Sequence, residues 1–292
     1  MKESPPAGVP TIEEYRVLLE GDVFTAMEAH SAEFLRENGT ALEDYRKRWV
    51  SDPLHQWSRQ WEYPFVHERL ARFAGGGPRA ASGGPRILDA GSGVTFFPFF
   101  LVSQLSGAEV VCCDYDPTLA EVYAELRAPS RDRVTFDVAS LDRLPYGNAD
   151  FDAVYSISVL EHTPNHEAIV AEFVRVLRPA GLLVLTFDVS LDGDCDVDRS
   201  GARRLLRDLE NRFTRLEGPS AEELDRALDR PGALTTNDFR RSEPSLLPWR
   251  GSLLGVLRDL LCLRVPRPEF HRLSVCTCVY RRPAHSEGNF AG

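Results

Sequence analysis

Two glycines, Gly91 and Gly93, stand directly after a short apolar run in Arg86-Ile-Leu-Asp-Ala-Gly-Ser-Gly-Val-Thr-Phe-Phe-Pro-Phe-Phe-Leu101. No other stretch constrains the fold as much. Ile87 and Leu88 start a short buried strand, and Asp89 sits where it ends. Glycines without a Cβ then let the backbone of the turn come close to a ligand. The apolar residues 96–105 read as the helix that follows. Strand, glycine turn and helix in this order open a doubly wound α/β sheet. Taken alone, the stretch has a blander reading, a tight turn before a helix. The third glycine of the dinucleotide fingerprint is absent, because Phe96 stands in its place.

The next seventy or so residues narrow the choice, since strands and helices alternate at the spacing of βαβ units. Glu109-Val-Val-Cys-Cys-Asp114 is a continuous apolar strand ending in an acid, as buried parallel strands read. Asp114 lies about 20 residues beyond the glycines, where an acid can accept hydrogen bonds from both ribose hydroxyls of a nucleoside. Tyr115 follows, placed to lie against a purine ring. A helix is expected over 118–127, and strands over 134–138 and 150–157. Thr163 reads as an N-cap with Pro164 at the first helical position. Ile169, Val170, Phe173, Val174 and Leu177 form that helix's buried stripe, and residues 178–181 end it. Residues 182–187 are the next strand. The alternation means a parallel sheet.

Before this core, residues 11–73 carry helical spacing. Thr11 and Glu14 form a capping box, and separate helices are expected around residues 32–35, from residue 40, and after Pro64. His55-Gln-Trp-Ser-Arg-Gln-Trp-Glu-Tyr-Pro-Phe65 is dense in aromatics. It reads either as helix-packing core or as a lid whose Trp57, Trp61 and Tyr63 faces line a pocket. Residues 75–84 are a surface linker. After the core, residues 202–213 are amphipathic, and Ser220 with Glu223 makes a second capping box. Residues 251–263 are apolar enough to dock on the sheet or against a partner, a second copy of the chain included. Residues 272–280 read as a long strand, and a loose tail follows from residue 283.

Composition removes several functions. The net charge of −10 disfavours non-specific nucleic-acid binding. No apolar run approaches the roughly 18 residues of a membrane span, and no apolar secretion signal opens the chain, so a cytoplasmic protein is expected. Cys112, Cys113, Cys195, Cys262, Cys276 and Cys278 form no C-x-x-C pairs and are expected reduced and mostly buried. The acidic run at 192–198 lacks the turn glycine and closing glutamate of a calcium loop, so no metal is expected.

In order and spacing, these motifs resemble a class I S-adenosylmethionine-dependent methyltransferase of the small-molecule type. The resemblance rests on Leu88-Asp-Ala-Gly-Ser-Gly93, the strand ending at Asp114, Leu144-Pro-Tyr before Phe151-Asp-Ala-Val, and Val159-Leu-Glu-His before Leu177-Arg-Pro-Ala-Gly181. It covers about residues 85–188 and implies a doubly wound, mostly parallel seven-stranded α/β sheet, its last strand inserted antiparallel. The chain then divides into an N-terminal helical lid and linker (1–84), the cofactor-binding core (85–188), a helical insertion that serves substrate or partner (189–265), and the final strand with its tail (266–292).

The same resemblance implies roles. Asp89, Ala90, Gly91, Ser92 and Gly93 cradle the methionine end of the cofactor, and Asp114 binds its ribose. Tyr115, Val138, Ala139 and Ser140 enclose adenine. Ser156, Ile157 and Ser158 face the sulfonium and the acceptor. Arg59 is placed to pair with the methionine carboxylate, with Tyr63 beside it. There are two departures: Thr95 replaces a usual third glycine, and Ser140 replaces an Asp that commonly receives the adenine amino group. Asp89 and Asp114 also have structural readings, as acids that hold their own turns.

His162 is the nearest candidate base for an oxygen acceptor, with Glu161 beside it; a capping or packing role competes for both. The expected activity is methyl transfer to a small-molecule acceptor in a biosynthetic setting, with neither nucleic acid nor membrane as a partner. A cofactor-binding enzyme of other chemistry and a non-catalytic relative are the alternatives. No Asn-Pro-Pro-Tyr signature follows the fourth strand, where Ser156-Ile-Ser-Val159 stands, which argues against methylation of an amino group on a base or Gln.

Overall fold

The apolar runs pair into one seven-stranded sheet in the computed structural model, which describes residues 4–49, 52–76, 83–193, 197–247 and 270–284. In chain order the strands are β1 (Arg86–Ala90), β2 (Glu109–Asp114), β3 (Val134–Val138), β4 (Phe151–Ile157), β5 (Leu177–Ser190), β6 (Thr214–Glu217) and β7 (Leu273–Arg281). Their spatial order is β3-β2-β1-β4-β5-β7-β6. β1 pairs in parallel with both β2 and β4. The strand order therefore reverses at β1, and a crevice opens at the carboxyl ends of β1 and β4, where ligands bind in such sheets. β7 runs antiparallel between β5 and β6. The fold class is the one expected.

Successive side chains on a strand point to opposite faces, and both faces here are covered. Leu88, Val111, Cys113, Val154 and Leu183 join one core cluster with residues of α7 (His166–Val176) and α8 (Arg199–Arg212). Ile87, Val110, Cys112, Ala153 and Val184 join a second, with α2 (Asp22–Glu37), α4 (Arg59–Gly76) and α5 (Phe97–Gln104). Phe97 sits at the centre of the second cluster, 4.7 Å from the Tyr63 ring and 5.6 Å from that of Tyr155. A third cluster joins Tyr15, Trp57 and Trp61 to Leu234, Phe239 and Leu246, so the N-terminal helices rest on the segment that precedes β7. Cys112, Cys113, Cys276 and Cys278 are buried and free.

Several local expectations change. Residues 22–37 are one continuous helix. α4 does not begin after Pro64 but runs through it. Proline inside a helix costs about 3 kcal/mol, and the complete burial of Trp61, Phe65, Val66 and Leu70 on this helix offsets that. Thr163 does not cap α7: its hydroxyl donates back to the Leu160 carbonyl at 2.9 Å, and the helix starts at His166. Residues 178–181 do not form a helix end; they already belong to β5, which kinks at Ala180 with φ 63°. Arg178, 2.5 Å from Asp152, ties that kink to β4.

The insertion after residue 188 is not purely helical, since it supplies β6, a short polar edge strand. Both expected capping boxes are present, at Thr11–Glu14 and Ser220–Glu223. Part of the acidic run (194–196), the apolar stretch 251–263, Cys195, Cys262, most of the linker at 77–82 and the tail from residue 285 lie outside the described residues.

Trp61 tests the third cluster. Trp61→Ala is expected to lower unfolding stability by about 3–5 kcal/mol, the range for large aromatics removed from a core. Trp61→Phe, which deletes an indole N–H that has no partner, is expected to cost far less. Urea denaturation of both variants measures the difference.

Candidate active site

A cavity of about 920 Å³ lies at the carboxyl edge of β1, β2 and β4, walled on its other side by residues from α3 (Glu43–Arg48) through the start of α4. The glycine turn forms its floor. Gly91 and Gly93 both have positive φ, 81° and 51°. A Cβ on Gly91 would lie 2.6 Å from Val159 Cγ1, and one on Gly93 would lie 2.7 Å from Tyr45 Oη. The turn is fixed from within. Gly91 and Ser92 donate their N–H groups to the Cys113 carbonyl. Gly93 donates to Asp114 Oδ2 at 3.1 Å, and Val94 donates to Tyr45 Oη at 3.0 Å.

Asp114 holds two turns at once, because its Oδ1 accepts the Asp116 N–H at 3.1 Å. Each carboxylate oxygen offers two lone pairs, so one acceptor site per oxygen remains for a ligand. Tyr115 beside it is 70% exposed on the cavity rim. Asp89 is buried at the end of β1, next to Tyr155 and not bonded to its own turn. Burial, with a smaller push from Asp114, raises its carboxyl to about 7, against a downward pull from the Tyr155 hydroxyl.

Gly91, Ser92, Gly93, Ala139, Ser140, Ile157 and Ser158 line the cavity with Asp89 and Asp114, as do Arg59, Tyr63, Glu161 and His162. Three expected site residues do not. Ala90 is buried within β1, and its carbonyl accepts the Ser156 hydroxyl at 2.8 Å. Ser156 therefore locks β1 to β4 inside the sheet and does not face the cavity. Val138, at the end of β3, is 48% exposed and outside the cavity wall. Trp61 is likewise core, whereas Trp57 and Tyr63 are both buried and cavity-lining.

Glu161 and His162 occupy a single 3-10 turn after β4. Glu161 is 5% exposed. Its Oε1 accepts the Asp188 N–H at 3.1 Å, and its Oε2 is buried without a partner. Burial raises the carboxyl to about 7, with His162 and Arg59 pulling it down and Glu62 pushing it up. His162 lies on the wall and is exposed.

Sequence reasoning missed four contributors. Glu62 is completely buried and pairs with Arg59 at 2.5 Å; its i, i+3 spacing from Arg59 was the available signal. Asp142 lines the wall and accepts the Ser140 hydroxyl at 2.5 Å. A carboxylate thus stands two residues beyond the position where Ser140 replaces the usual Asp. Asp188 and His271 reach the cavity from the ends of β5 and β7, and only the three-dimensional pairing of those strands brings them there.

The sheet order, the glycine turn at its reversal point and the acid that closes β2 are those expected from the resemblance to class I methyltransferases. Residues 88–185 match the methyltransferase domain family. The chain is 35% identical over 118 residues to methyltransferase GfsG of Streptomyces halstedii, covering 39% of this chain and 41% of that one. It is 41% identical over 59 residues to 27-O-demethylrifamycin SV methyltransferase of Amycolatopsis mediterranei, covering 20% and 22%. The chain thus spans less than half the length of these curated relatives. Among solved structures, the [4+2]-cyclase SpnF aligns over 81% of this chain and 86% of its own with a TM-score of 0.49 and 20% identity.

The raised carboxyls have a consequence for stability. Folded protein holds the Asp89 proton up to about pH 7, while an ordinary Asp releases it near 3.8. This contribution is full below 3.8 and is lost as pH rises through about 7. Asp89→Asn is therefore expected to flatten the decline in stability of the ligand-free protein across that window, as read from urea midpoints at several pH values.

Proposed function

We propose that the protein transfers a methyl group from S-adenosylmethionine to a small-molecule acceptor. One observation carries the reading: the glycine turn, an Asp114 with acceptor sites left over and the Glu161–His162 turn all meet in one crevice. S-adenosylmethionine, when bound, supplies a methyl group on a sulfonium, already joined to a good leaving group. The chain's task is then mainly to position the acceptor and exclude water.

In this reading the turn at Asp89–Gly93 holds the amino-acid end, with Arg59 and Tyr63 across from it. Asp114 takes the ribose hydroxyls, and Tyr115, Ala139 and Ser140, with Asp142, surround adenine. Ile157 and Ser158 face the acceptor. His162 receives the proton of a hydroxyl acceptor, and the free oxygen of Glu161 helps to orient it. Residues 11–73 close the cavity and supply part of the acceptor wall; the buried, cavity-lining Trp57 and Tyr63 support this. The two named relatives are methyltransferases, one of them acting on an oxygen by its name, which fits a biosynthetic O-acceptor. Other chemistry on the same cofactor is the second reading.

Calorimetry with S-adenosylmethionine, S-adenosylhomocysteine and NAD separates this site from a nicotinamide site. Binding of the first two and no binding of NAD is expected, and the opposite pattern would sink the proposal. Asp114→Ala is expected to weaken binding by about 1.5–3 kcal/mol, the scale of a hydrogen bond to a charged group. With a hydroxyl acceptor in hand, His162→Ala is expected to lower turnover by roughly 10²–10⁴-fold while cofactor affinity holds. Full turnover in that variant would leave positioning as the main source of rate.

A further inference from the structure

Glu62 stands behind the cavity wall, paired with the cavity-lining Arg59, and has no exposed surface. Removing a carboxylate from water costs several kcal/mol unless every oxygen is well paired. Here both are. Oε1 accepts the Ser158 hydroxyl at 2.7 Å and the Thr186 hydroxyl at 2.5 Å, and Oε2 accepts Arg59 Nη1 at 2.5 Å. These donors come from the end of β4, from within β5 and from the first turn of α4. An apolar side chain would fill such a space at less cost. What a carboxylate adds is a fixed partner for one cation.

Arg59 is that cation. Its side chain keeps 20% exposure, and it lines the cavity. A guanidinium carries five N–H donors in a rigid fork, and the bond to Glu62 occupies one of them. Ser158, which holds the other side of Glu62, itself lines the cavity, with a left-handed φ of 46°. The orientation of Arg59 is thus tied, through one buried carboxylate, to the strand end that faces the acceptor.

We infer that Glu62 is a positioning residue: it aims the remaining donors of Arg59 at a carboxylate ligand, the amino-acid end of the bound cofactor. The inference rests on the cofactor reading above, and it deepens that reading by giving recognition of the amino-acid end to a pair of α4 residues. A planar guanidinium recognises a carboxylate through two parallel hydrogen bonds only when its plane is held. Glu62, pinned by two hydroxyls, does the holding.

The test compares two ligands that differ only at that end. S-adenosylhomocysteine carries the amino-acid group, and 5′-methylthioadenosine keeps the nucleoside and the sulfur without it. Affinities for both are measured by calorimetry on wild type, Glu62→Gln, Arg59→Gln and the double variant. Glu62→Gln keeps the shape and can still accept from Ser158 and Thr186. It is expected to weaken S-adenosylhomocysteine by about tenfold or more, the scale of one charge-assisted hydrogen bond. Methylthioadenosine affinity is expected to stay within about twofold, and the double variant to be no weaker than Arg59→Gln alone, since the two residues act as a unit. Equal loss of both ligands would make Glu62 a structural pin only and overturn the inference, as would no loss of either.

Should Glu62→Gln fail to fold, Thr186→Val takes its place. It is nearly isosteric, removes one of the two hydroxyls that pin Glu62, and lies off the cavity wall. Selective loss of S-adenosylhomocysteine in that variant supports the inference, and unchanged or equally weakened binding of the two ligands overturns it. Wild-type protein that binds neither ligand overturns the cofactor reading itself, and with it this inference.

Discussion

The carboxyl edge of the sheet depends on how closely the turn after β1 and the turn after β4 approach each other. Val159 sits where a side chain on Gly91 would have to be. That contact is permitted because Gly91 has no Cβ and takes a positive φ. With the two turns interlocked, Asp89 and Asp114 are held at the ends of their strands, and the 3-10 turn bearing Glu161 and His162 is set against the same space. Tyr45 repeats the device one step along, its hydroxyl filling the room that a Cβ on Gly93 would need while accepting the Val94 N–H. The N-terminal helices are therefore seated by the glycine turn itself.

The electrostatics of the cavity follow from burial as much as from pairing. Glu62, Glu161 and Asp188 act together on the single guanidinium of Arg59. Glu62 bonds it directly, at Arg59 Nη1. Burial by itself would disfavour the charge on Arg59, yet the surrounding acids, Glu62 foremost, raise its pKa above the ordinary range. Glu161 goes the other way, toward neutrality, because its burial outweighs the help it receives from His162 and Arg59. Two carboxyls in one cavity, Glu161 and Asp89, thus titrate near pH 7 for the same reason.

The parts of this design that local pattern controls were legible in the sequence. The strands β1, β2 and β4 are apolar on both faces, so their runs are continuous, and the glycine turn and Asp114 follow from them. What stayed hidden depends on which neighbour a side chain meets. Ser156 looks like a residue at a strand's open end, but its register against β1 places its hydroxyl on the Ala90 carbonyl. β6 is four residues of mostly exposed chain, with too little apolar pattern to announce a strand until β7 lies beside it. Pro64 argued for a helix start, and the burial of Trp61 and Phe65 overrode it. Glu62 was hidden by its type, since a glutamate in an aromatic run reads as solvated until Ser158 and Thr186 converge on it from distant strands.

One contact binds this architecture to the order in which the chain is made. Gly8 exchanges backbone hydrogen bonds with Thr277 in the middle of β7, at 2.8 and 2.9 Å. The same strand fills the slot between β5 and β6 and carries Leu273 into the cavity wall. A pairing across 269 residues is about as non-local as this chain allows, and such contacts form late because loop closure must precede them. During synthesis the matched core can therefore collapse well before the N-terminal helices have the strand they rest on. Until β7 emerges, the hydrogen-bonding edge of β5 and the surfaces of Tyr15 and Trp57 are left without their partners, and a nascent chain stalled at that point would expose them to other chains.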